Sequence, residues 1–334
     1  MRKEKNRPFL CKPCGKDYLW GGRRLRDDLE KEMGVEYLAE SWECSTHPDG
    51  PTEVADGEYR GMELTEVLRL HPEYQGSHVR SLKGAGEGQI PVLVKFIDAK
   101  QDLSVQVHPT DDYADRHENG QQGKTELWYI MDAAKDAGIV CGLKRKADKE
   151  QLCRAALSGD LEKYLRRIPV EKDQVFFVEA GTIHAVGAGC LIAEIQENSN
   201  LTYRLYDYDR VDKDGKKREL HLEKALEAAD LTVGKELRQP IRVLRYEPGI
   251  ARELLGRCRY FEVYRMLVNT ERRQIVKFRA DELSFRILLC IEGCGTLTFE
   301  DTTVDIYRGD CVFVPADSVD IRIHGRLQFL DVRC

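Results

Sequence analysis

The stretch IPVLVKFIDAKQDLSVQVHP, residues 90–109, decides the fold class of this chain. Its first half is apolar on both faces of a strand except at Lys95, as in an interior strand of a sheet. Its second half alternates, so that Leu103, Val105 and Val107 face one side and polar residues face the other. Two strands of this kind in succession mark the start of a dense β region.

The rest of the chain continues this β pattern around one clearly helical stretch. Residues 147–167 have helical periodicity, and a break near Ser158-Gly159 predicts two short helices there. Many short strands separated by glycine and aspartate turns favour sandwiches or barrels over an alternating βαβ sheet. A weak internal echo between residues 172–186 and 308–322 indicates two related β-barrels. We therefore predict a mainly β chain with a few short helices.

Composition restricts the chain to ordinary soluble globular classes. It has 334 residues, with 52 Lys and Arg against 58 Asp and Glu, which gives a formal net charge of −6. This length is typical of about two domains. No run approaches the roughly 20 apolar residues of a membrane-spanning helix, and the basic start lacks the apolar core of a secretory signal. Mild acidity gives no general attraction to nucleic acid. We expect a cytoplasmic protein, monomeric or a small homo-oligomer, that binds neither nucleic acid nor membrane.

The cysteines do not form a recognisable framework. Their number, 11, is odd, and in a reducing compartment most should be free thiols. Cys11 and Cys14 form the one close pair, but a zinc ribbon needs a second such pair. A redox motif would require a preceding strand and a following helix, whereas Pro8, Pro13 and Gly15 predict a loop.

Four polar residues on predicted strands form the strongest functional signal. Gln106 and His108 are two residues apart in an alternating strand and therefore share a face, which favours an enclosed polar cavity. Glu126 lies in a following strand, and His184 follows the bend at 181–182. Two imidazoles and a carboxylate suit a divalent metal with one coordination position left open, either zinc or non-haem iron. The alternative is that each is an ordinary polar residue of a strand.

Charged residues also occupy positions that a core would normally exclude. Lys95 interrupts an apolar strand, where an unpaired ammonium costs several kcal/mol. Lys124 lies two residues before Glu126, and both Glu194 and Arg204 lie within predicted strands. A small anionic substrate would compensate such cations. The alternative is a structural ion-pair network, for example between Lys95 and Glu194.

Five long runs of the sequence resemble the type I mannose-6-phosphate isomerases, also called phosphomannose isomerases, in their short bacterial form. The runs are LAESWECSTHPDG (38–50), PVLVKFIDAKQDLSVQVHPTDDYA (91–114), GKTELWYIMDA (123–133), AGTIHAVGAGCLIAEIQENSNLTYRLYDYDR (180–210) and RELHLEKAL (218–226). They cover most of residues 38–230 in the family's order, and the resemblance fades after about residue 235.

The resemblance implies a fold of two cupin-like β-barrel (jelly-roll) domains, because members of the family adopt cupin-type barrels. We expect a catalytic cupin-like domain over residues 1–240, with a small helical insertion near 147–167. A C-terminal cupin-like barrel without metal ligands is expected over 241–334. In the echo, this second barrel has Asp317 and Val319 near where the first has Thr182 and His184.

The resemblance also implies a metal site and a set of pocket residues. The family's zinc ligands correspond to His108, Glu126 and His184, with one Zn²⁺ per chain, and Gln106 matches a further ligand of longer relatives. The arginine regarded as catalytic corresponds to Arg204.

Three other pocket residues of the family correspond to Lys95, Lys124 and Glu194. Where many relatives have Asp, this chain has Asn200, which is expected beside the site rather than in it.

The implied reaction is interconversion of D-mannose 6-phosphate and D-fructose 6-phosphate through a cis-enediol, so that the partner is a sugar phosphate. Arg204 and Lys124 would stabilise enediolate charge, and Glu194 or a metal-bound group would move the proton. Two alternatives use the same residues. One is a non-haem iron cupin dioxygenase, and the other is a non-catalytic sugar-binding cupin.

Overall fold

The structure is a computed structural model that describes residues 5–211, 214–233, 242–272 and 274–334. Within these residues the chain is mostly β. Thirteen strands precede residue 240: β1 (Phe9–Lys12), β2 (Cys14–Lys16), β3 (Glu40–Cys44), β4 (Glu53–Val54), β5 (Val92–Asp98), β6 (Val105–Val107), β7 (Glu126–Ala133), β8 (Gly138–Leu143), β9 (Leu165–Pro169), β10 (Val175–Val178), β11 (His184–Val186), β12 (Cys190–Glu197) and β13 (Tyr203–Tyr206).

Eight further strands follow in the described C-terminal part: β14 (Arg245–Glu247), β15 (Ile250–Arg257), β16 (Glu262–Asn269), β17 (Val276–Phe278), β18 (Arg286–Phe299), β19 (Thr302–Tyr307), β20 (Cys311–Val314) and β21 (Ile321–Arg333). The α-helices are short: α1 (Arg24–Asp27), α2 (Leu64–Leu70), α3 (Asp111–His117), α4 (Lys149–Leu157) and α5 (Leu222–Ala228). No helix among the described residues is long and apolar enough to cross a membrane.

Two antiparallel sheets form the first barrel. One has the order β10-β7-β12-β5-β3-β2, and the other has the order β13-β6-β11-β8-β9. Apolar side chains from both sheets, among them Ile97, Trp128, Ile139 and Val186, pack into one buried cluster. All seven residues of β5 are buried, which confirms the prediction of an interior strand around Lys95.

A third sheet of ten strands forms the C-terminal part, and most of it follows the order β14-β15-β16-β21-β18-β20-β1-β4. It includes β1 and β4 from the start of the chain, because Phe9 pairs with Phe313 and Leu10 with Val312. Its inner face encloses one apolar cluster, and its outer face shares a second cluster with the first barrel. The fold is therefore mainly β with cupin-type sheets, as predicted. The expected domain boundary at 240/241 lies outside the described residues.

Two local predictions need correction. The second helix predicted within 147–167 is only a 3₁₀ turn, Leu161–Lys163, after which β9 pairs with β8 and takes residues 165–169. The segment around Cys11 and Cys14 is not a loop, because the two cysteines lie in β1 and β2 on either side of Pro13. Pairing with distant strands fixes both segments, and local composition does not reveal such partners.

Candidate active site

A polar cavity of about 210 Å³ lies between the two sheets of the first barrel. Seven of the eight predicted site residues line it: Lys95, Gln106, Lys124, Glu126, His184, Glu194 and Arg204. The eighth, His108, contacts this group through its ring, since its Nε2 lies 3.1 Å from Glu126 Oε1. A larger groove of about 1120 Å³ around Tyr59 and Tyr74 is lined by none of these residues. We assign the candidate site to the smaller cavity because the reactive groups converge there.

Strand register brings these residues together from the two sheets. In the five-stranded sheet, Gln106 lies opposite both His184 and Arg204. In the six-stranded sheet, Glu194 lies opposite Lys95. Residues directly opposite each other on antiparallel strands point to the same face. Each sheet therefore presents one polar patch, and the two patches face the same cavity.

His108, Glu126 and His184 form a compact group of metal-binding type. One ligand atom from each lies within 4.8 Å of the others, and all three residues are about 1% exposed. His108 Nδ1 donates to the carbonyl of Leu201 at 2.7 Å, and His184 Nδ1 donates to the carbonyl of Thr182 at 2.8 Å. A carbonyl only accepts, so both Nδ1 atoms carry the proton and both Nε2 atoms are unprotonated, each with a lone pair that can coordinate a metal.

The charge states of the group also suit a metal. Burial and the Lys124 charge lower the pKa of His108 to about 3, and burial lowers the pKa of His184. Burial opposes ionisation of Glu126, but the charge of Lys124 outweighs it and holds the pKa of Glu126 well below the usual range. Two neutral imidazoles and one carboxylate are an N/O donor set that fits a divalent ion such as zinc. The residues present therefore fit the metal that the sequence implies.

Gln106 lies against the same group. Its Nε2 is 3.4 Å from His108 Nε2 and 3.3 Å from His184 Nε2. Both ring nitrogens are acceptors in this tautomer, so they accept from the amide NH₂. A half-turn of the amide exchanges its nitrogen and oxygen and would present Oε1 to the same point. Gln106 is thus adjacent to both histidines of the group and able to join them as a ligand.

Lysines and glutamates alternate along one wall of the cavity. Lys95 Nζ lies 3.3 Å from Glu40 Oε2 and 3.5 Å from Glu194 Oε1. Lys124 Nζ lies 2.8 Å from Glu126 Oε1 and 3.8 Å from Glu194 Oε1. The ion pair between Lys95 and Glu194, which the sequence offered as the alternative to substrate binding, is therefore present, and it lines the cavity.

The pKa values of this wall follow from burial and close charges. Burial lowers the pKa of Lys95, but Glu194 and Glu40 outweigh it and leave the pKa raised. Burial and the charge of Glu126 raise the pKa of Glu194 to about 8. Glu194 Oε1 is buried and accepts no hydrogen bond from the described residues. It is a carboxyl group with an oxygen left for a ligand.

Two guanidinium groups lie at another part of the cavity. Arg204 donates to the carbonyl of Glu219 at 3.0 Å, while its buried Nε has no hydrogen-bond partner among the described residues. Arg218 also lines the cavity and holds both oxygens of Asp207, at 2.8 and 2.6 Å. Burial and the charge of Arg218 lower the pKa of Arg204. Two cations that repel each other beside one cavity favour an anionic ligand.

The sequence reasoning missed three cavity residues. Glu40 and Arg218 lie within matching runs but were assigned no part in a site, and Asn200 was expected beside it. All three line the cavity. Asn200 also donates to Asp49 Oδ2 at 2.8 Å. Glu40 lies two residues before Trp42 on β3, so both side chains share one face of the strand. The Trp42 indole donates to Glu40 Oε2 at 2.7 Å. This spacing is the feature of the sequence that could have identified Glu40.

Comparison with known proteins agrees with this site. Residues 9–136 match the family model "Phosphomannose isomerase type I, catalytic domain", and residues 252–333 match "Mannose-6-phosphate isomerase, cupin domain". Mannose-6-phosphate isomerase ManA of Bacillus subtilis (strain 168) is 37% identical over 319 residues, which is 95% of this chain and 96% of the relative.

Solved structures give the same result. The crystal structure of the mannose 6-phosphate isomerase from Bacillus subtilis has a TM-score of 0.87 at 37% identity, covering 98% of this chain and 100% of that one. A mannose 6-phosphate isomerase bound with zinc and yttrium has a TM-score of 0.74 at 14% identity, covering 98% and 99%, and shares the fold. These matches support an isomerase and neither of the two alternative functions. The chain belongs to the type I mannose-6-phosphate isomerase family.

Proposed function

We propose that this chain interconverts D-mannose 6-phosphate and D-fructose 6-phosphate in the cavity of the first barrel. The proposal rests on three features that share one small cavity. They are the group of His108, Glu126 and His184, which we call the metal-type group, the buried Glu194 Oε1, which accepts no hydrogen bond from the described residues, and the two guanidiniums of Arg204 and Arg218. In the isomerisation of a sugar phosphate, each of these parts has a use. It moves a proton between C2 and C1, develops negative charge on two oxygens, and must hold a phosphate.

We infer that His108, Glu126 and His184, with Gln106 beside them, hold one Zn²⁺ per chain. When bound, a divalent ion with an open position polarises the sugar carbonyl and hydroxyl oxygens. Histidine nitrogens and a carboxylate are common zinc ligands, and the backbone carbonyls that fix both rings supply the outer support such ligands need. Residues 1–240 would then form the catalytic domain, and residues 241–334 a barrel without metal ligands.

The proton transfer is assigned to Glu194. Its Oε1 lies in the cavity wall without a hydrogen bond from the described residues, and two lysine ammoniums stand 3.5 and 3.8 Å away. In the carboxylate form it would take the C2 proton, and as the acid it would return that proton to C1 of the cis-enediol. Lys95 holds this carboxyl group in place from the opposite strand.

Charge stabilisation is assigned to Lys124 and Arg204. Lys124 Nζ lies against Glu126 and so stands next to the metal-type group, where the enediol oxygens would gather charge. A fixed ammonium in a dry cavity stabilises such charge at little cost in reorganisation.

The phosphate is assigned to the guanidinium end. Arg204 and Arg218 together can hold it with charge-assisted hydrogen bonds, and this relieves their mutual repulsion. The net charge of −6 is therefore locally reversed where the substrate binds.

The test is a coupled assay with mannose 6-phosphate, before and after treatment with a chelator. We expect activity to vanish on chelation and to return with zinc. His184→Ala should lose bound zinc, measured by elemental analysis, and at least about 100-fold of kcat/KM. His78→Ala is the matched control because His78 is exposed and outside the cavity. Activity that ignores chelation would contradict the metal assignment, and an absence of isomerisation by the zinc-loaded chain would contradict the function.

A further inference from the structure

We propose that Tyr260, in a turn that joins two strands of the ten-stranded sheet, is a positioning residue that holds Lys124 in the cavity by way of Asp111. The inference rests on the proposed function, because it is there that Lys124 has a part in the reaction. Tyr260 lies in the turn between β15 and β16 and does not line the cavity. Its effect must therefore pass through the residues that it contacts.

The turn that carries Tyr260 is packed firmly on the first barrel. Cys258 N donates to the carbonyl of Phe261 at 2.9 Å, which closes the turn, and Phe261 is 1% exposed. At Gly256, a Cβ atom would come within 2.5 Å of Leu127 Cδ1. Leu127 directly follows Glu126 in β7, so this hairpin lies against the back of the strand that carries a predicted metal ligand.

The Tyr260 hydroxyl makes one specific bond across this interface. It donates to Asp111 Oδ2 at 2.8 Å, and Asp111 Oδ1 accepts from Gly123 N at 3.0 Å. Burial, the charge of Glu197 and this bond to Asp111 all raise the pKa of Tyr260, so the hydroxyl keeps its proton. Among the described residues, each Asp111 oxygen thus has one hydrogen-bond partner, and the carboxylate links the C-terminal sheet to the residue before Lys124.

The loop between His108 and Lys124 is closed at this point. Lys124 N donates to the carbonyl of Pro109 at 3.1 Å. At Gly123 a Cβ would lie 2.5 Å from Asp111 N and 2.7 Å from the Pro109 carbonyl oxygen, so the two ends of the loop are in direct contact. A shift of Asp111 would therefore be passed on to the backbone of Lys124, whose Nζ is 2.8 Å from Glu126.

This geometry predicts which kinetic constant depends on Tyr260. Lys124 stands beside the metal-type group, whereas Arg204 and Arg218 form the guanidinium end that we assign to the phosphate. Loosening Lys124 should weaken stabilisation of the enediolate and leave binding of the phosphate in place. The consequence is a fall in kcat with little change in KM.

The experiment compares Tyr260→Phe with the zinc-loaded wild type, using mannose 6-phosphate. We expect kcat to fall about 10-fold and KM to stay within about 2-fold, since small displacements of a catalytic group cost factors of this size. Tyr264→Phe on β16 is the matched control, because it removes the same hydroxyl from a side chain outside the cavity. It should leave both constants unchanged.

A double-mutant cycle distinguishes the proposed relay, in which Tyr260 acts on Lys124 through Asp111, from a general loosening of the interface. Asp111→Ala should lower kcat at least as much as Tyr260→Phe, and the double variant should lose no more than Asp111→Ala alone. Losses that multiply, or an unchanged kcat in Tyr260→Phe, would overturn the relay while the isomerase function stands. A wild type without isomerase activity would overturn the proposed function itself, and the relay with it.

Discussion

Lys95 and Glu194 stand directly opposite each other on β5 and β12, with Nζ 3.5 Å from Oε1, and both side chains are almost completely buried. Glu40 approaches the same ammonium from β3, at 3.3 Å. A buried cation between two buried carboxyl groups is costly to desolvate and more costly to leave without its partners. Lys95, Glu194 and Glu40 therefore form one electrostatic unit, and removing any one of them alone should lower the free energy of unfolding.

The first prediction concerns this unit. Lys95→Met keeps the length and apolar stem of the side chain but leaves Glu194 and Glu40 without their shared cation, so we expect a loss of about 3 kcal/mol in the free energy of unfolding. Urea denaturation measures it. Lys172→Met removes an exposed cation that lies 3.1 Å from Glu292, and it should cost less than about 1 kcal/mol. Equal losses of unfolding free energy in the two variants would show that the buried Lys95 ion pair contributes no more to stability than the exposed Lys172 pair.

Much of the arrangement of the candidate site could be predicted from the periodicity of the strands. Gln106 and His108 share a face because side chains alternate along a strand, and Lys95 stood out because a charge interrupts an apolar run. Neither inference needs knowledge of the partner strands. The resemblance to a family then supplied roles for residues on separate strands, such as Arg204.

The features of the site and fold that could not be predicted from the sequence depend on pairing between distant segments. Glu40 reaches Lys95 because β3 pairs with β5, and that register is set by the sheet as a whole. Arg218 lies in the charged stretch 211–220, which the sequence predicts to be a turn, yet Asp207 holds it at the cavity. The pairing of β1 with β20 also joins segments about 300 residues apart, for which local sequence carries no signal.

The second prediction concerns the phosphate. Arg218→Met removes one of the two guanidiniums at the guanidinium end of the cavity, so KM for mannose 6-phosphate should rise about 10-fold, the equivalent of one charge-assisted hydrogen bond. The inhibition constant of inorganic phosphate, measured in the same assay, should rise by a similar factor. Lys217→Met is the control, because the neighbouring Lys217 is exposed and pairs with Asp209. A fall in kcat at unchanged KM would instead assign Arg218 to the chemical step.

The third prediction concerns Glu197, a buried carboxyl group next to the interface with the C-terminal sheet. Its Oε2 accepts from Thr125 N at 2.7 Å, while Oε1 accepts no hydrogen bond from the described residues. Burial and the charge of Asp111 raise its pKa from 4.5 to about 7, although the Thr125 amide and Arg259 oppose this. The folded chain therefore binds the Glu197 proton more tightly than the unfolded chain.

The sign of the pH dependence follows from that raised pKa. Below the ordinary value Glu197 is neutral in both states and carries no penalty, and stability is lost as pH rises through about 7, where the folded state must accept a buried charge. Glu197→Gln keeps an oxygen for the Thr125 amide and removes this charge. Its unfolding free energy relative to wild type should improve by about 2–3 kcal/mol between about pH 5 and about pH 8.5, measured by urea denaturation. The exposed Glu87→Gln should show no such trend, and a Glu197→Gln difference that stays flat across this range would mean that the carboxyl group titrates normally in the folded chain.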